Sequence, residues 1–327
     1  MCRNFVRSLA LSGVLSLAVV GAVAAQDYPT RPVTLVLPFS AGAGPDPVAR
    51  FIAQKLSARI GQPVVVEPKP GAGTMIGGNY VAKSPPDGYT LLLTTNAVVA
   101  FGPVLNKAPP FNPRTDFVTL ALSSQTPLWV AVNPKLPINS LQDLIRVAKA
   151  SPGKLTYGHT GPGGTSHVYT EALMQRAGIQ MVGVPYQGSG DAIKDVVAGH
   201  IDLAFGDSVA VELGRSGAVR LLAISTNARH DSTPDVPTVA ESGLPGFHAA
   251  GWTGISGPAN MPANIVAKLR TELAGVMTDP EYRTFLRQRG SMTMDGYTTP
   301  QAIEAFVTSE IENWEKVLQT LGLAKTQ

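Results

Sequence analysis

Two glycine-bearing loops, each set between a short apolar run and a helical pattern, carry the residue types best suited to chemistry in this chain. In Pro38 to Arg50, PFSAGAGPDPVAR, the run Val33 to Leu37 reads as a buried strand. Phe39, Ser40, Ala41, Gly42 and Gly44 then form a turn that avoids Cβ clashes, and Asp46-Pro47 supplies an N-cap followed by proline at the first helical position. In Tyr157 to His167, YGHTGPGGTSH, the backbone N–H groups of Gly161, Gly163 and Gly164 join the hydroxyls of Thr160, Thr165 and Ser166 in front of a helix N-terminus. That combination receives an anion. Neither the turn Ser40 to Gly44 nor the loop Tyr157 to His167 contains lysine or arginine, so neutral dipoles, hydroxyls and water would hold the charge. Each hydrogen bond to a charged group contributes roughly 1.5 to 3 kcal/mol. About three or four of them, less closure and ordering costs, reach the ~8 kcal/mol of micromolar binding.

Two roles are open to Asp46. As an N-cap it consumes helix donors; pointing into a crevice it would favour a ligand with an ammonium or hydroxyl donor. In either role it repels an acid, so a ligand carboxylate is expected nearer Thr160 to Ser166. Asp207 follows the apolar run ending at Phe205-Gly206 and either reaches the same crevice or caps the next helix.

Other motifs are poorer. Pro70 to Gly78, PGAGTMIGG, places Gly71, Gly73 and Gly77 in the spacing of a variant dinucleotide fingerprint. Four residues separate it from the apolar strand, and the next strand ends at Thr95-Asn96 without the acid that would hold a ribose. There is no G-x-S-x-G elbow and no Walker pattern. Ser166 and His167 are adjacent and point in different directions on a helix. A periplasmic hydrolase or isomerase using Ser166, His167 and Asp207 is the enzymatic alternative. The five histidines show no metal-binding spacing, so no cofactor or metal is expected.

The elements that must position these loops follow from the rest of the chain. Arg3 and Arg7 precede an uncharged stretch, Ser8 to Ala25, that ends in small residues, the pattern of a secretory signal peptide over residues 1–25. Cys2, the only cysteine, would leave with it, so the mature chain has no disulfide and no thiol nucleophile. Without Arg3 and Arg7, the 26 basic residues come within one charge of balancing the 23 acidic ones, and no basic cluster interleaved with aromatics points to nucleic acid. Apolar strand-like runs alternate with amphipathic helices, which predicts an α/β architecture with largely parallel strands. The unit that opens at Leu155 repeats the architecture of the first. Two facing lobes with a cleft between them follow from that repeat.

The opening segment, YPTRPVTLVLPF at Tyr28 to Phe39, PPDGYTLLLTTN at Pro85 to Asn96, the glycine loop YGHTGPGGTSH, VPYQGSGDAIKDVVAGHIDLAFGD at Val184 to Asp207 and TPDVPTVAESGLPGF at Thr233 to Phe247 resemble the tripartite tricarboxylate transporter solute-binding proteins, the Bug family of periplasmic receptors. The resemblance runs along the mature chain. It implies a two-lobed Venus flytrap, with lobe 1 at 26–126 and 250–327 and lobe 2 at 127–249, closing on a small organic acid. Carried over by position, lobe 1 contributes Phe39 to Gly44, Asp46, Thr95 and Asn96, and lobe 2 contributes Thr160 to Ser166 and Asp207. The implied partners are the permease subunits of a tripartite transporter, or a sensor kinase for a sensory receptor; a monomeric, periplasmic, non-enzymatic protein is expected. One departure stands out: GAGPDP replaces the more usual paired glycines, since Ala43 separates Gly42 from Gly44.

Overall fold

The computed structural model describes residues 28–324 apart from positions 43, 162 and 187. The signal-peptide reading and Cys2 lie outside the described residues. The chain begins with β1 (Val33–Leu37), α1 (Asp46–Ile60), β2 (Val64–Pro68), α2 (Met75–Ala82), β3 (Thr90–Thr95), α3 (Gly102–Leu105) and β4 (Phe117–Thr126). A second series follows: β5 (Trp129–Val132), α4 (Leu141–Ala150), β6 (Thr156–His159), α5 (Thr165–Ala177), β7 (Val182–Pro185), α6 (Ser189–Ala198), β8 (Leu203–Gly206), α7 (Ser208–Arg215) and β9 (Arg220–Ile224). The chain then returns through β10 (Gly251–Pro258), α8 (Ala263–Met277), α9 (Pro280–Gln288), β11 (Met292–Thr293) and α10 (Pro300–Thr320).

Two sheets result, ordered β11-β4-β10-β3-β1-β2 and β7-β6-β8-β5-β9. Apart from the short β11, they share one plan: β2-β1-β3-β10-β4 in the first lobe corresponds to β7-β6-β8-β5-β9 in the second. The βαβ units are parallel, as expected. The expectation of largely parallel sheets needs correction, because β10 runs antiparallel to β3 and β4, and β5 antiparallel to β8 and β9. A strand that enters one lobe from the other starts at the shared edge and runs away from it, against neighbours that run toward it. β5 and β10 are those entering strands.

Each sheet buries both faces, which explains why its parallel strands read as continuous apolar runs. In the first lobe Leu35, Ile52, Leu91 and Tyr282 pack on one face, and Val36, Leu92, Trp252 and Ile311 on the other. Burying each such side chain contributes about 1.5 to 3 kcal/mol. Trp252 is a core residue, 2% exposed, with its Nε1–H donating to Glu310 at 2.8 Å. The largest core belongs to the second lobe, and it includes Phe101, Trp314 and Leu318 from the first-lobe part of the chain. The end of α10 and the segment after β3 thus pack against the other lobe.

Several boundaries coincide with sequence expectations because strong local signals set them. α5 ends at Gly178 in the left-handed region, φ 64°. Ser140 Oγ accepts from Asp143 N–H at 3.1 Å, while Asp143 turns back to Asn139 N–H instead of completing the reciprocal half of a capping box. The proline-rich stretch Pro103 to Pro113 opens within the single helical turn α3, preceded by a wider π-type turn at Ala97–Phe101.

Candidate ligand site between the lobes

β1, β3, β6 and β8 all end at the edge where the two sheets meet, so the loops that follow them converge there. After β1, Phe39 packs on the first-lobe core, whereas Ser40, Ala41, Gly42 and Gly44 form an exposed rim. Gly42 adopts φ 81°, a conformation that favours glycine. Asp46 is not the N-cap that the sequence suggested: Pro45 occupies that position and Asp46 is the first helical residue. Its buried carboxylate accepts from Gly42 N–H at 2.8 Å and lies 2.9 Å from Arg50 Nε in an ion pair set off the hydrogen-bond direction. Asp46 therefore ties the rim to α1, and a cation does stand beside this loop, one helical turn beyond the segment that lacked one.

The loop after β6 is held mainly by its own helix. Ser166 Oγ accepts from Thr160 N–H at 3.0 Å and lies 3.1 Å from Thr160 Oγ1. Gly164 N–H donates to Gly161 O at 3.1 Å, and Gly163 N–H donates to His167 Nδ1 at 3.2 Å. Gly161 and Gly163 both have positive φ, 87° and 75°. α1 and α5 start without side-chain caps, so the first N–H groups of each helix remain available to a ligand or water. Thr165 leads α5, half-buried at the edge. The donors that sequence reading assigned to Gly163 and Gly164 are thus spent on shaping the loop, and the helix start behind them is the part left without a side-chain cap.

Across the edge, a Cβ at Gly163 would lie 2.5 Å from Leu105 Cδ1, so α3 of the first lobe rests against the second-lobe loop. Thr95 and Asn96 sit at the end of β3, both buried. Thr95 Oγ1 has no hydrogen-bond partner among the described residues. Asn96 Nδ2 donates to Tyr169 OH on α5 at 2.6 Å, which spends its amide on a bond between lobes. Tyr169 stacks on Trp314 at 4.9 Å, and Phe101 meets both rings edge-on. Burial raises the Tyr169 hydroxyl well above its ordinary value, so it stays protonated. Leu105, Tyr169 and Arg50 escaped sequence reading; only the Asp46–Arg50 spacing, i to i+4, could have signalled its contact.

Asp207 resolves to the capping role: it accepts from Val209 N–H at 3.1 Å at the start of α7, and from Ser189 Oγ at 2.8 Å at the start of α6. Ser166, His167 and Asp207 form no nucleophile–base pair, since His167 Nδ1 and Ser166 Oγ hold the loop and Asp207 holds two helix starts. The glycines of Pro70 to Gly78 also serve packing. A Cβ at Gly77 would lie 2.8 Å from Pro38 Cβ, and Gly71, Ala72, Gly73 and Thr74 turn through successive positive φ values before α2. Among the described residues, no cluster of His, Cys, Asp or Glu could hold a metal.

The chain is similar to known proteins along most of its length. BugT of Bordetella pertussis is 34% identical over 323 residues, 98% of each chain. An R. palustris protein solved with adipate superposes with a TM-score of 0.81 at 35% identity, covering 91% of this chain and 99% of its own. MatC from Rhodopseudomonas palustris, with bound malate, gives 0.78 at 31% identity, covering 89% and 100%. Residues 48–323 match the profile of the tripartite tricarboxylate transporter family receptor. On sequence, on the two-lobed fold and on the loops that meet between its lobes, the chain belongs to that receptor family.

Proposed function

We propose that this protein is a periplasmic receptor that captures a small organic acid between its lobes and presents it to the permease subunits of a tripartite tricarboxylate transporter. The observation that carries the reading is the pair of uncapped helix starts, α1 and α5, behind glycine loops at the meeting edge of two sheets. The adipate and malate held by similar proteins support a carboxylate as the ligand class. The lobes divide at 26–126 with 250–327 and at 127–249, a division supported by the crossovers between β4 and β5 and between β9 and β10. The ligand carboxylate lies against Thr160 to Ser166, the loop without an acid. Ser40 to Gly44 form the opposing rim, and Asp46 shapes that rim from behind. Residues 1–25 direct export and are removed, so the mature protein begins at Gln26.

A thermal-shift panel of mono-, di- and tricarboxylates tests the ligand class. An acid at a hundred times its Kd stabilises the folded state by about 2.7 kcal/mol. A panel in which no carboxylate raises the melting temperature removes the reading. N-terminal sequencing of periplasmic protein tests the export site, with Gln26 expected.

A further inference from the structure

The second-lobe loop has an acceptor that can change sign. Gly163 N–H donates to His167 Nδ1 at 3.2 Å, which requires Nδ1 to be unprotonated and places the hydrogen of the neutral ring on Nε2. Protonation would put a second donor face to face with Gly163 N–H and remove the bond. Gly163 sits at φ 75° against Leu105, and because glycine moves freely between backbone states this contact helps select one of them.

The groups facing His167 are few. On its own helix, Glu171 Oε1 lies 3.8 Å from Nε2, and that same oxygen accepts from Tyr157 OH of β6 at 2.6 Å. From β6 too, the His159 ring lies 4.6 Å away, with its Nδ1 buried and without a partner among the described residues. On β7, Gly183 lies against Tyr157 and His159 and brings no charged group. Glu171 favours the imidazolium, while burial and the neighbouring His159 ring oppose it more strongly and hold the His167 pKa below its ordinary 6.5.

We propose that His167 is a positioning residue that keeps the second-lobe ligand loop in its binding form only while its imidazole is neutral, so that the receptor releases anions as the pH falls below neutrality. This rests on the receptor reading above, and its test is separable from it. The loop loosens as the pH falls through the His167 titration, which burial places below the ordinary imidazole range.

The ligand-free, full-length mature chain, labelled with nitrogen-15, provides the decisive readout. His167 ring nitrogens and the Gly163 amide are followed by NMR from about pH 8 to about pH 5. The expected result is an Nε2–H tautomer at the alkaline end and a Gly163 amide that titrates with the His167 ring, at one midpoint below 6.5. In His167→Asn, whose Oδ1 can replace Nδ1 as acceptor, the Gly163 resonance should stay near its alkaline position throughout. In His167→Leu it should sit away from that position at every pH. An Nδ1–H tautomer, or a Gly163 amide indifferent to the ring's titration, overturns the proposal without touching the receptor reading. Malate serves as a probe alongside: binding should weaken about threefold or more across the pH range in which the His167 ring itself titrates in the wild type, beyond any change in His167→Asn, which carries the acid's own protonation. Tighter wild-type binding on acidification would make the imidazolium a cation for the ligand and overturn the positioning role. If malate binds neither protein, the amide titration alone decides.

Discussion

Gly163 meets three demands at once: a positive φ, an N–H aimed at His167, and contact with Leu105 from the opposite lobe. Any side chain strains the turn and pushes against α3. Gly163→Ala should retain the far-UV circular dichroism of the wild type while weakening carboxylate binding by about tenfold, the equivalent of ~1.4 kcal/mol. Unchanged affinity by titration calorimetry would show that the loop and α3 give way freely. Asp46 is the corresponding residue of the first loop. Asp46→Ala returns the exposed Gly42 N–H and Arg50 to water and should cost about 0.5 to 1.5 kcal/mol in urea unfolding. Asp46→Asn keeps an acceptor for Gly42 and should cost less. Equal losses in the two variants would assign the effect to the Arg50 ion pair instead.

At the scale of elements, α5 links the loop to the lobe contact. It begins with the uncapped turn that holds Gly163 and, one turn on, presents Tyr169 to Asn96, Phe101 and Trp314. The wider turn at Ala97–Phe101 and the last turns of α10 supply the other side of that contact. Tyr169→Phe keeps the aromatic packing and strands the Asn96 amide, so a loss of about 1 to 3 kcal/mol in urea unfolding is expected. A neutral result would mean that water or a shifted Asn96 replaces the bond. Little of this was legible beforehand. Gly178 marks the end of this helix in the sequence, but nothing there says that Tyr169 reaches a strand end seventy-three residues earlier.

For the whole molecule, buried imidazoles set the pH response. His167, His230 and His248 are all held below their ordinary 6.5, mainly by burial. A base with a depressed folded pKa binds fewer protons folded than unfolded, so its contribution is complete above 6.5 and is lost as the pH falls below that value. Glu310, raised by burial beside Trp252, acts in the opposite sense: its contribution is complete below its unfolded 4.5 and is lost as the pH rises through the folded value. Unfolding free energy should therefore rise on going from about pH 5.5 to about pH 7.5, as the three imidazoles deprotonate in the unfolded chain. Glu310→Gln, which keeps an acceptor for Trp252, should gain stability relative to the wild type mainly at the alkaline end. A flat profile measured by urea unfolding would mean that these histidines reach water in the fold.

The sequence by itself determined the elements that short-range physics decides: the alternating strands and helices, the glycine turns after β1 and β6, and the repeated βα plan from which two lobes follow. Periodicity, positive-φ glycines and prolines act within a few residues and are visible in a string. Only the tertiary structure decided the role of each polar group. Asp46, Asn96, Asp207 and Ser166 read as ligand contacts and His167 as part of an enzymatic alternative, and the fold gives each a partner: Gly42 and Arg50, Tyr169, Val209 and Ser189, Thr160, and Gly163. A buried polar atom must find a hydrogen bond, and which bond it finds depends on neighbours that distant strands bring together. The entering directions of β5 and β10 follow in the same way from where the chain crosses between lobes, a constraint no local stretch of sequence carries.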